Sequence, residues 1–160
     1  MKQIIDRDYF KVFISDIGLL MAMYPISTSA SLFKNELDSR KGTIYENLAA
    51  IMIKKSNLPL YYFSNGRDHL EIDFIIESTD GIILLEEKST NGKMAASRNI
   101  MEGRSNYKAN KCYKIIKENF GSSSFYTTIS HYALTFLLDI IKSELDNGIE
   151  LPKLNIQVNN

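Results

Sequence analysis

Two short apolar runs joined by a tight turn constrain this chain more than any other feature. His69-Leu-Glu-Ile-Asp-Phe-Ile-Ile76 and Ile82-Ile-Leu-Leu-Glu-Glu-Lys88 flank Ser78-Thr79-Asp80-Gly81. The aliphatic, β-branched stretch Ile82–Leu85 has the composition of a strand buried on both faces. The four residues before it are turn formers, with glycine at the close, so the two runs read as a β-hairpin. Pairing Glu77 with Ile82 and counting inward sets Asp73 opposite Glu86, and Glu71 opposite Lys88. Side chains alternate along a strand, so Glu86 and Lys88 point to one side and Glu87 to the other. Facing carboxylates destabilise a ladder by up to about 1 kcal/mol when exposed, and by more when desolvated. Three things could compensate Asp73 and Glu86: a divalent cation, a shared proton, or the ammonium of Lys88. Mg²⁺ takes one or two carboxylates plus water and phosphate oxygens, which this pair offers. The plainer alternative makes Glu71–Lys88 a cross-strand salt bridge and leaves Asp73–Glu86 at a wet edge.

A chain of 160 residues supports one domain with a real core. Its 44% apolar and 24% charged shares are those of an ordinary globular protein. No apolar run is long enough to span a bilayer, and Met1-Lys-Gln-Ile-Ile-Asp lacks a signal-peptide pattern. The single cysteine, Cys112, excludes an internal disulfide and suits a reducing, cytoplasmic location. With only His69 and His131 to join it, a zinc site or a Cys–His pair is not indicated, and Cys112 reads as a packed strand residue. Lysines and arginines balance aspartates and glutamates at 19 each, so any contact with nucleic acid must use a local patch.

In chain order, Tyr9 to Ser15 is a strand-like apolar run, and Asp16 opens a short helix from Ile17 to about Met23 that Pro25 helps to end. The chain begins abruptly on this run, as a domain cut from a larger protein would. Ile26-Ser-Thr-Ser-Ala-Ser-Leu32 reads as a polar connector. Asn35 to about Ser56 has the apolar spacing of a long helix, with Ile44, Leu48, Ile51, Met52 and Lys55 in register. Glu46 lies within that apolar stretch. Thr43 and Glu46 would make a capping box if the helix began at Thr43. An earlier start, near Asp38 or Ser39, leaves Glu46 mid-helix and free for other work, and we favour it. Leu60–Phe63 is a short aromatic strand, followed by an Asn-Gly turn. A turn at Ser89–Gly92 leads to a helix from about Met94 to Lys108, where Lys93, Arg98, Arg104 and Lys108, with Lys111 just beyond, are the densest basic set. Cys112–Lys117 and Phe125–Ile129 read as further strands. Ser130 is placed to cap an apolar helix from Tyr132 to about Leu145, and residues 146–160 form a loosely held tail.

Glu46 on a helix, Asp73 on one strand and Glu86-Glu-Lys88 on the next resemble the PD-(D/E)XK superfamily of restriction-endonuclease-like phosphodiesterases. More narrowly, Phe10–Leu20, Lys41–Asn47, Glu71-Ile-Asp-Phe74 and Leu84–Ser89 look like the domain of unknown function found C-terminal to AAA-type ATPase modules in bacteria and archaea. The likeness runs from Tyr9 to Leu145, so residues 1–145 are assigned to one domain. It implies an α/β fold with a restriction-endonuclease-like mixed β-sheet flanked by helices. It also implies that Glu46, Asp73, Glu86 and Lys88 meet at one end of the sheet. In that picture Asp73, Glu86 and Glu46 hold Mg²⁺ or Mn²⁺, and Lys88 positions water or stabilises the transition state. Lys93, Arg98, Arg104 and Lys108 would grip a DNA backbone. Two departures stand out: Ile72 precedes Asp73 where the superfamily name has proline, and Glu87 replaces an apolar residue. An attached ATPase module is the implied partner, and a non-catalytic recognition or regulatory module on the same scaffold is the alternative.

Overall fold

The computed structural model describes residues 10–34, 36, 39–65, 70–88, 92–117 and 120–147. Its elements in order are α1 (Ile17–Ala22), α2 (Ile26–Phe33), α3 (Ser39–Lys55), β1 (Tyr61–Asn65), β2 (Leu70–Ser78), β3 (Gly81–Glu87), α4 (Ala95–Met101), β4 (Lys111–Ile116), β5 (Gly121–Ser122), β6 (Thr127–Ser130) and α5 (His131–Asn147). The six strands form one mixed sheet in the order β1-β2-β3-β4-β6-β5. β1, β2 and β3 run antiparallel, β4 and β6 continue parallel to β3, and β5 returns antiparallel at the edge. The chain is therefore α/β, a mixed sheet flanked by helices.

The two faces have separate cores. Ala49, Ala50 and Ile53 of α3 and Leu134, Leu138 and Ile141 of α5 pack on one face, against Phe74, Ile83 and Leu85. α4 covers the other with Met94, Ala96 and Ile100, against Ile72, Leu84 and Cys112. Each fully buried isoleucine, leucine or phenylalanine among them contributes about 1.5–3 kcal/mol. Burial pushes the Cys112 thiol up to about 12, the behaviour of a packed, unreactive cysteine.

The hairpin register follows the turn as read from the sequence: Ser78 pairs with Gly81, Glu77 with Ile82, and the ladder runs in to Phe74 opposite Leu85. There it stops. On the other side of β2, Tyr61 pairs with Ile75 but Phe63 with Ile72, so Asp73 and Phe74 together stand against the single residue Tyr62. This is a β-bulge, an extra residue that bends the strand and re-aims its side chains. Its effect on alternation is visible in the packing. Ile72 and Ile75 both face α4, while Phe74 and Ile76 face α3 and α5.

Several sequence expectations are corrected. Residues 10–16 form no strand; they are held by side chains, with Asn47 Oδ1 accepting the Ile14 N–H at 2.8 Å and Asn47 Nδ2 donating to the Ile14 carbonyl at 2.9 Å. The Ser/Thr-rich connector is helix α2, because Pro25 pre-sets its entry and no residue in it opposes a helical turn strongly. The basic helix ends at Met101, so Arg104 and Lys108 lie in the loop beyond it. Ser130 is the last residue of β6, and its buried hydroxyl has no hydrogen-bond partner, so it caps nothing. α5 continues through Asp146 to Asn147, two residues into the expected tail. α3 begins at Ser39, which leaves Glu46 mid-helix as favoured. The rest of the tail, the Ser89–Asn91 turn and most of the Asn-Gly loop fall outside the described residues.

Candidate functional site

The bulge puts Asp73 where the β2–β3 ladder ends, and its carboxylate takes over from the missing backbone rung. The Glu87 N–H donates to Asp73 Oδ2 at 2.9 Å, and Lys88 Nζ donates to the same oxygen at 3.2 Å. Lys88 Nζ also lies 2.7 Å from Glu86 Oε2. The remaining Glu86 oxygen, Oε1, accepts the hydroxyl of Ser97 on α4. The ammonium is thus the compensator between Asp73 and Glu86, one of the three the sequence allowed. Burial pushes the Glu86 carboxyl above the usual glutamate range, and the Asp73 charge adds to that, while Lys88 and the Ser97 hydroxyl oppose it. For Lys88, burial works against the charged form, but the Asp73 and Glu86 carboxylates prevail and raise it to about 12. Lys88 therefore stays an ammonium over the whole physiological range.

Glu71 does not face Lys88. Lys11, from the segment before α1, lies 2.9 Å from Glu71 Oε1 and 2.9 Å from Glu46 Oε1. Burial alone would lower the Lys11 ammonium, yet its hydrogen bonds to these two carboxylates carry it upward. Glu46 is consequently gathered with Glu71, two residues along β2 from Asp73, and has no direct bond to Asp73, Glu86 or Lys88 among the described residues. Glu87, on the opposite side of β3, is only 5% exposed. His131 at the start of α5 answers it, with Nε2 3.1 Å from Glu87 Oε1 and the imidazole stacked on Tyr45 of α3 at 4.5 Å. Burial raises the Glu87 carboxyl and His131 opposes the shift. The buried Glu87 carboxyl is accommodated by this pair.

The basic residues do not form one stripe. Lys93, Arg98 and Lys108 are exposed. Arg98 stacks over the Phe125 ring at 5.0 Å, and Arg104 pairs with Glu102 at 2.9 Å. Lys111 pairs with Asp80 at 3.3 Å, at the far end of its strand. Sequence reasoning missed Lys11, Ser97 and His131 as members of this region. A lysine flanked by aromatic and aliphatic residues in Phe10-Lys-Val-Phe13 was the available signal for the first.

Asp73 and Glu86 are ligands of the kind a hard cation takes, and in this structure the place between them is filled by the Lys88 ammonium. Among the described residues no group of three or more His, Cys, Asp or Glu side chains is arranged to hold a metal ion. Nor is any described helix long and apolar enough to cross a membrane.

What fold and site together define is a mixed α/β domain carrying a cluster of acids and amines where β2 and β3 part. Residues 41–132 match the family described as Domain of unknown function (DUF4143), over more than half of the chain, and the chain belongs to that family. The matched segment spans α3 to the start of α5 and so includes Glu46, Asp73, Glu86 and Lys88. No curated protein and no solved structure matches the chain.

Proposed function

We propose that this chain is a metal-dependent, nuclease-like domain of the PD-(D/E)XK type, acting on or binding DNA in the cytoplasm and working with an attached AAA-type ATPase module. The observation that carries the reading is the meeting of Asp73, Glu86 and Lys88 from two strands. A bulge in β2 accompanies the placement of Asp73 there, and bulges are common beside active sites. Asp73 and Glu86 would hold Mg²⁺ or Mn²⁺, and the ion would supply Lewis-acid activation of water and of the phosphodiester. Lys88, charged and just past the end of β3, is suited to stabilise the negative charge that develops on phosphorus oxygens. Glu46 reaches the ion only if it leaves Lys11, or through water.

A second reading is favoured by one specific feature. Each motif acid already has a cation of the protein's own: Lys11 for Glu46, and Lys88 for both Asp73 and Glu86. A non-catalytic recognition or regulatory module could retain such internal pairs for stability. Titration calorimetry with Mn²⁺ or Mg²⁺, paired with a plasmid-nicking assay on the wild type and Asp73→Ala, separates the two. Metal binding and nicking that both disappear in Asp73→Ala support the nuclease reading. No heat and no nicking from the wild type leave the binding module.

A further inference from the structure

One charged group near the site is unused by that reading. Lys114 on β4 is 5% exposed, and in the parallel register it stands beside Glu86, on the α4 side of the sheet. Among the described residues the partners of the two Glu86 oxygens are Ser97 and Lys88, not Lys114. Among the described residues the Lys114 ammonium makes no ion pair and no hydrogen bond; its charge rests over the Tyr126 ring at 5.8 Å. A ring quadrupole offsets only part of the cost of removing an ammonium from water, so a buried lysine ordinarily carries a carboxylate with it. The fully enclosed side-chain atoms left without a partner are the hydroxyls of Thr28 and Ser130. Among the described residues the Lys114 ammonium is not one of them, so the side chain is enclosed without its ammonium being a wholly buried, partnerless atom.

The surroundings favour an anion at that ammonium. Tyr126 and Phe125 contact edge to face at 4.8 Å, and each ring carries one cation: Lys114 over Tyr126 and Arg98 over Phe125. Lys88 ends the neighbouring strand, on the same side as Glu86. We propose that Lys114, with Arg98 beside it on the Phe125–Tyr126 pair, forms a subsite for a phosphate group of a nucleic-acid backbone. The identity of the anion rests on the phosphodiester reading above; the existence of the subsite does not need the reaction. Lys114 holds the phosphate as a point charge, Arg98 adds a planar donor fork from the exposed side, and Glu86 stays bonded to Lys88 and Ser97. The sequence held a faint sign of this: in Cys112-Tyr-Lys-Ile-Ile116, the lysine takes the inward-facing place between Cys112 and Ile116.

The test measures binding of a fluorescent duplex oligonucleotide by anisotropy in EDTA, where no metal-dependent cleavage occurs, with inorganic phosphate as competitor. Lys114→Met should weaken binding about tenfold and reduce the salt slope by about one counterion. Lys114→Arg should keep most of the affinity. Lys111→Met, the same loss of charge on the same strand, should change affinity less than about twofold. Thermal melts of all three establish that they are folded. Equal loss in Lys111→Met and Lys114→Met, no loss in Lys114→Met, or no binding by the wild type would each overturn the subsite. Lys114-dependent binding without nicking would keep it while removing catalysis. Nicking that Lys114→Met leaves unchanged in KM would do the reverse.

Discussion

Lys88 Nζ lies 2.7 Å from Glu86 Oε2, and the Glu86 side chain is only 3% exposed. Breaking such a pair from one side leaves a charge in a place that water cannot reach, which typically costs about 3–5 kcal/mol. The Lys88 side chain is 23% exposed, so the lower end of that range applies. Lys88→Met should therefore destabilise the domain by about 3 kcal/mol at pH 7 in urea unfolding. The loss should shrink at pH 4, where the orphaned carboxyl takes a proton. A cost under about 1 kcal/mol at pH 7 would mean that solvent screens this pair as it does surface ones.

Glu86 itself makes the opposite contribution. Burial raises its carboxyl in the folded state above the ordinary value of 4.5. The folded protein then binds protons more tightly than the unfolded chain, so this group's penalty is absent below about pH 4 and grows as pH climbs through the folded value. Lys88, raised to about 12, stays charged throughout that window and does not alter the sign. Glu86→Gln keeps a partner for Ser97 and removes the charge. Its melting temperature relative to the wild type should rise between pH 4 and pH 8. A wild type that gains on the variant over this interval would show that Lys88 and Ser97 outweigh desolvation.

How much of this the sequence disclosed depends on how local each determinant is. The hairpin register could be read because a turn of four residues fixes it, and it holds as far as Phe74 opposite Leu85. It fails at Asp73 because the bulge arises from pairing with β1, which no pattern within β2 records. The same limit explains Glu71. Its partner Lys11 lies 60 positions away in the chain, and a cross-strand partner, Lys88, was available nearer by. Glu46 could be singled out as a charge in an apolar helix, but the sequence does not show which neighbour answers it. Asp73, Glu86 and Lys88 were legible as a group because all three sit on one hairpin. Residues 10–16 were misread as a strand because apolar composition signals burial, and here the backbone partner is a side-chain amide instead of another strand.

Gly81 closes the hairpin with φ of 126°, a conformation side chains rarely adopt, and a Cβ there would stand 2.1 Å from Asn110 Oδ1. That Asn110 oxygen accepts the Ile82 N–H at 3.2 Å, so it is not free to move without loss. Gly81→Ala should cost about 2–3 kcal/mol from strain and collision together. Adding Asn110→Ala should return part of the loss by removing the collision, while the φ penalty stays. If the single variant unfolds within about 0.5 kcal/mol of the wild type, the turn relaxes more readily than this packing allows.

Asn47 carries the last prediction, because it fastens the segment that delivers Lys11. It is 4% exposed and bonds both backbone groups of Ile14, while Phe13 beside them packs its ring 5.8 Å from that of Phe74. Asn47→Ala leaves a donor and an acceptor without partners under a partly covered surface, at a cost of about 2–3 kcal/mol. Asn47→Asp should fall between, since it retains the acceptor for the Ile14 N–H and loses the donor. The direct readout is amide hydrogen exchange at Ile14, which should lose most of its protection in Asn47→Ala while the core amides of β3 keep theirs. Lys11 should loosen with its segment, so the Ala variant should also open Glu46 and Glu71 to added cations. Undiminished protection at Ile14 would show that Phe13, and not the amide, holds these residues in place.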